Sequence, residues 1–227
     1  TLFGRDALLT SYMALMVGPQ LALGVLRTLA RLQGTTVNPE TEEEPGRILH
    51  EIRFGDHPSW NLADGTIYYG TVDASPLFVI LLGELRRWGL ADDHVDQLLP
   101  AADRALRWLV DHGDRDGDGF IDYERSTPTG LANQGWKDSW DAIRFADGRF
   151  PEGPIALCEV QAYTYAAYLA RAYFADEGGD QAARREWTER AHEIRARFRE
   201  HFWLPDRGWL AMGLDGDKRP IDALASN

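Results

Sequence analysis

The rhythm of its connections constrains this chain most. Six runs carry apolar residues at helical spacing, and short and long segments join them alternately. The first run, Arg5 to Val17, places Leu8, Leu9, Tyr12, Met13, Leu15 and Met16 on more than one face, which predicts a helix buried on most sides. Gly18-Pro19 breaks it, and a second helix is expected from Pro19 to Leu32. Ser75-Pro76 opens a third, with a favoured cap and a proline at the first turn, running to Trp88-Gly89. The fourth spans roughly Val95 to His112, and Pro100 within it offers an alternative first turn. Runs from Ile155 to Phe174 and from Gln181 to Phe202 form a last pair across Glu177-Gly178-Gly179-Asp180.

Asn38 to Gly46 reads as a solvated, mobile acidic loop. Residues 51–75 are irregular and rich in aromatics, including His57, Trp60, Tyr68 and Tyr69. Gly113 to Pro154 is a second long loop, of a length that is usually functional or disordered. Gly208 to Asp222 has room for a short hairpin. No βαβ alternation appears. An all-α chain of antiparallel helix pairs follows, as in an α/α toroid whose long loops gather at one end. A solenoid would give similar pairs, but no fixed period is present.

Charge narrows the partners. The chain has 24 basic and 36 acidic residues, a net charge of −12. That disfavours nucleic acid, where affinity comes from Lys and Arg on phosphates, and an anionic membrane surface. A neutral sugar meets no such objection. Eight Trp, 8 Tyr and 9 Phe suit the flat faces of sugars, and equally suit a large helical core. The single cysteine, Cys158, excludes an internal disulfide and fits a cytoplasmic setting. No signal peptide and no membrane-length apolar run is present. The chain enters a motif at Leu2 without an initiating Met, so residues 1–227 read as one partial domain cut at both ends.

The densest chemistry lies in Asn133-Gln134-Gly135-Trp136-Lys137-Asp138-Ser139-Trp140-Asp141. Glycoside hydrolysis needs a carboxylic acid to protonate the leaving oxygen and a second carboxylate across the sugar. Asp138 stands between Trp136 and Trp140, and packing beside indoles is one way to raise an acid's pKa. An Asx-turn or a helix cap is the plainer reading of the same residue.

The stretch from Asn133 to Ser139 resembles the acid-bearing loop of the bacterial amylo-α-1,6-glucosidase, or glycogen-debranching, family. Three other stretches resemble its motifs in order: Phe3-Gly4-Arg5-Asp6, Tyr69 to Phe78, and Ala156 to Tyr163. The resemblance runs over most of the chain. It implies an (α/α)6 toroid, present here in part, and inverting hydrolysis without an organic cofactor. It implies Asp138 as general acid, and Arg5, Asp6, Asp73, Trp136, Lys137, Glu159 and Gln161 around the sugar. Surface pairing for Arg5, a first-turn dipole role for Asp6, helix capping for Asp73 and solvation for Glu159 are the plain alternatives. The family's base is expected in a later motif than this chain contains. Trp140 departs from the small residue expected there. Related toroidal hydrolases of small glucosides, or a carbohydrate-binding helical domain without turnover, remain alternatives.

A second acidic stretch, Asp114-Arg115-Asp116-Gly117-Asp118-Gly119-Phe120-Ile121-Asp122, resembles a calcium loop of the EF-hand kind. Asp114, Asp116, Asp118 and Asp122 would offer carboxylates and Phe120 its carbonyl, making any calcium structural. Arg125 stands at the twelfth position in place of the bidentate Glu. An ordinary Asp/Gly turn is the other reading. The six His show no metal-ligand spacing and read as structural, and Gly65 and Gly70 form no phosphate loop.

Overall fold

The computed structural model describes residues 1–54 and 67–225. His57, Trp60 and Gly65 therefore lie outside the described residues. Strand β1 (Leu2–Phe3) runs into α1 (Gly4–Met13), then a 3-10 turn at Leu15–Val17 and α2 (Gln20–Arg31). Strands β2 (Glu51–Ile52) and β3 (Ile67–Tyr68) precede α3 (Ala74–Arg87) and α4 (Asp92–Asp111). Strand β4 (Ala156–Leu157) leads into α5 (Cys158–Glu177) and α6 (Gln181–His201), followed by β5 (Trp203–Leu204), β6 (Trp209–Leu210) and β7 (Gly213–Leu214).

The fold is mostly helical. Helix α3 packs against α1 on one side and α5 on the other, while α2, α4 and α6 each pack on their own partner. The short strands stitch the helix entrances together. Leu2 pairs with Ile52 and Glu51 with Tyr68, so β1, β2 and β3 form one antiparallel sheet. Ala156 pairs with Leu214, anchoring the start of α5.

Helix α3 is apolar on most faces and is buried along most of its length. It ends where Gly89 takes φ 64° and the Leu90 N–H donates to the Leu85 carbonyl at 2.9 Å, the closing bond expected of a left-handed glycine stop. A Cβ on Gly83 would lie 2.8 Å from the Ala170 Cβ, so α3 and α5 meet almost backbone to backbone there. Helix α6 is the opposite case. Ala191 and Ile194 are its buried residues, and Asp180 caps it by accepting from the Ala182 and Ala183 N–H groups at 3.2 and 3.0 Å.

Several expectations change. The first helix is not buried on most sides: Met13, Met16 and Val17 are 69%, 81% and 87% exposed. No described element covers that flank. Pro100 does not start α4, which begins about two turns earlier at Asp92 and runs through the proline. The acidic loop is solvated only in part: Pro39, Glu40 and Pro45 are exposed, while two of its acids are pinned. Glu42 is buried and accepts from the Gln134 Nε2 at 2.6 Å and the Ser126 N–H at 3.1 Å. Glu44 accepts from the Trp108 indole N–H at 2.7 Å. The hairpin expected between Gly208 and Asp222 is present, closed by the antiparallel bridge of Leu214 with Pro220 and by the Met212 N–H donating to the Ile221 carbonyl at 2.9 Å, while β5 and β6 form a further hairpin ahead of it and β7 also pairs with β4. No described helix is long and apolar enough to cross a membrane.

Candidate active site

Three helices begin at one place. Arg5 is the second residue of α1, Asp73 immediately precedes α3, and Glu159 is the second residue of α5. Helix N-termini carry partial positive charge, so acids gathered there are electrostatically favoured. Gly4 makes the first entrance possible. Its N–H donates to the His50 carbonyl at 2.8 Å, and a Cβ on it would fall 2.1 Å from the Leu49 carbonyl oxygen. Only glycine lets α1 start that close, and this carries Arg5 inward.

Arg5 joins the segments. Its Nη1 donates to Asp73 Oδ2 at 3.0 Å and to the Gly135 carbonyl at 2.8 Å. Its Nη2 donates to Asp138 Oδ2 at 2.9 Å. The guanidinium carbon lies 5.5 Å from the centre of the Trp136 ring, and Nε is 3.7 Å from Asp6 Oδ1. Burial works against the Arg5 charge, but Asp73 and Asp138 outweigh it and raise its pKa. Asp73 is fully buried. Burial pushes its carboxyl up, while Arg5 and the Thr71 hydroxyl, donating at 2.7 Å, favour the carboxylate. Asp73 thus turns its side chain to Arg5 and makes no cap bond to α3.

Asp138 sits at the rim with its side chain 40% exposed. Trp136 and Trp140 do not enclose it. They are 52% and 70% exposed, and Trp140 lies on Phe150 with ring centres 5.9 Å apart. The indole-walled acid expected from the sequence is therefore replaced by an acid held on a cation. Glu159, like Asp73, is buried. Burial pushes it up, the Asp73 charge adds to this, and Lys137 opposes it. Asp6 stays exposed beside Arg5.

Gln161 has a different job from lining a pocket. It is buried; its Oε1 accepts from the Ile121 N–H at 2.8 Å, and its Nε2 donates to the Ile121 and Leu157 carbonyls at 2.6 and 3.0 Å. Its amide braces the 113–122 loop against α5. Asn133 and Gln134 seat the acid loop in the same manner. The Tyr123 hydroxyl donates to Asn133 Oδ1 at 2.9 Å, the Asn133 amide donates to the Ser139 carbonyl at 2.6 Å, and Arg47 donates to Gln134 Oε1 at 2.8 Å.

Two residues join the site unannounced. His50 is buried with its ring edge-on to Phe3 and Tyr68 at 5.8 and 5.9 Å. Burial, then the Arg5 charge, lower its pKa to about 4. No motif marks His50; only the strand pairing brings it here. Tyr163 is raised by burial and then by the Asp73 and Glu159 charges. Its place four residues after Glu159, on the same helical face, was a usable signal.

The second acidic cluster stands apart from Arg5. Asp114, Asp116 and Asp122 each bring one oxygen within 4.8 Å of the others. Asp118 is 2.7 Å from the Lys218 Nζ, which also contacts Asp116. The Phe120 ring packs edge-on against Phe202 at 5.3 Å in a small apolar cluster.

No family model matches this chain, and none of the curated proteins compared with it matches at a significant level. Its chemistry is therefore read from the site itself. The Arg5 cluster offers a fixed guanidinium, a rim carboxylate, a buried carboxyl with a raised pKa and an exposed indole. Such groups bind hydroxyls through charge-assisted hydrogen bonds and can carry a proton to a leaving oxygen.

Proposed function

We propose that this chain is part of an inverting glycoside hydrolase that releases glucose from α-1,6 branch points of a glycogen-like glucan, within an (α/α)6 toroid. Asp138 protonates the leaving oxygen. A second carboxylate activates the attacking water. Arg5, Asp73 and Glu159 bind and orient sugar hydroxyls, and Trp136 covers a sugar face.

The observation that carries this reading is the meeting around Arg5 of segments that are far apart in sequence. Asp73, Gly135 and Asp138 lie 68, 130 and 133 residues from it. These are the stretches whose sequences resemble the debranching motifs, and a purely structural use of each motif does not require their convergence. Asp138 must leave its ion pair with Arg5 to carry a proton, so the substrate has to reshape that contact.

The test is glucose release from branched and linear α-glucans by the full-length protein, with Asp138→Asn and Glu159→Gln beside it. Asp138→Asn is expected to lower α-1,6 cleavage roughly 100- to 10,000-fold, the range for losing a general acid, while the fold is kept. Full activity in Asp138→Asn with loss in Glu159→Gln would move the acid to Glu159. No release from any glucan by the unaltered protein would overturn the assignment.

A further inference from the structure

The 113–122 loop holds more negative charge than its neighbours satisfy. Asp122 is 2% exposed. Its Oδ1 accepts from the Arg115 N–H at 3.3 Å, and its Oδ2 is buried with no hydrogen-bond partner. Asp114 repeats the pattern. Its Oδ2 accepts from the Gly119 N–H at 2.9 Å, and its Oδ1 is buried without a partner. A buried unpaired carboxylate oxygen is costly, and such groups are normally paired or bound to a metal. Both residues belong to the group whose oxygens, with one from Asp116, lie within 4.8 Å of one another. A hard cation that takes carboxylate and carbonyl oxygens at 2.3–2.6 Å would bring oxygens to about this separation.

We propose that Asp114, Asp116 and Asp122 form a binding site for a calcium-class cation, and that Lys218 is its built-in competitor. Lys218 arrives from the turn after β7, where its own φ is 61°. Its ammonium contacts Asp116 and lies 2.7 Å from Asp118. It satisfies the outer acids and leaves the buried oxygens of Asp114 and Asp122 unmatched. A divalent ion would take those oxygens and weaken the hold of Asp116 on Lys218. The missing Glu at the twelfth position and the lysine together place the affinity toward the weak end of such loops, about 0.1–1 mM. The site does not rest on the glycosidase reading, because binding is measured without turnover.

The experiment is calorimetric titration of the full-length protein with calcium chloride and with magnesium chloride. Calcium is expected to bind, with magnesium weaker because it demands a tighter octahedral set. Asp122→Asn should abolish calcium binding. Asp116→Asn, at an exposed position that leaves the core alone, should weaken it at least tenfold, with circular dichroism reporting an intact fold. Lys218→Met should tighten calcium binding. Absence of calcium binding in both the unaltered protein and Lys218→Met would overturn the proposal, and the loop would be a lysine-bridged turn. Unchanged binding in Asp116→Asn and Asp122→Asn would also overturn it, by placing the ion elsewhere.

Discussion

Two groups of acids in this molecule have taken opposite routes to tolerating burial. Around Arg5, the cation came inside with the acids. Its side chain is buried and uses both terminal nitrogens on Asp73, Gly135 and Asp138. Around Asp122, the cation stayed outside. Lys218 touches the more exposed acids and leaves the buried oxygens of Asp114 and Asp122 unmatched. The planar fork of arginine explains part of the difference, since it can serve several acceptors at once where an ammonium acts as a point charge. The first group leaves the Arg5 Nε without a hydrogen bond, 3.7 Å from Asp6, and the second leaves two buried carboxylate oxygens without a donor at the proposed cation site.

Removing the central cation is the strongest way to break that comparison. Arg5→Met should cost about 3–5 kcal/mol, because it leaves Asp73 buried and unpaired. Denaturant unfolding measures it, and a cost below about 1 kcal/mol would mean that Arg5 is not the hub. A crowding change at the α3–α5 approach comes next. Gly83→Ala would push a methyl to 2.8 Å from Ala170 and should cost about 1–3 kcal/mol by the same measurement.

Acid sharpens the comparison further. His50 has its pKa lowered from 6.5 to about 4 by burial and the nearby Arg5 charge. The unfolded chain therefore binds the proton more readily than the folded one between those values. Stability should be full above about pH 6.5 and fall as pH drops toward 4. His50→Gln should flatten that slope, read as melting temperature against pH. A slope unchanged in His50→Gln would assign it to other groups.

The smallest effect belongs to the outer cation. Lys218→Met in calcium-free buffer should change stability by less than about 1 kcal/mol, as is usual for a solvent-accessible pair. A loss as large as that for Arg5→Met would erase the distinction between the two clusters.

The sequence by itself determined the six helices, their pairing by short turns and the positions of the motif-bearing loops. These are local properties: apolar spacing, Pro at first turns, Gly at stops and Asp180 at a cap. It also marked Asp138 by its place between two indoles, and Arg5, Asp73 and Glu159 through a resemblance, but it pointed to Asp138 as the enclosed acid. Tertiary structure alone decided that Asp138 lies at the rim and Glu159 inside, that Gln161 braces a loop, and that His50 belongs to the site. It alone buried Glu42 in a loop whose composition reads as solvated. The physical reason is common to all of these. Burial and pairing depend on which chain segments meet, and Arg5 meets partners up to 133 residues away through backbone approaches, such as Gly4 on Leu49, that leave no periodic trace in the sequence.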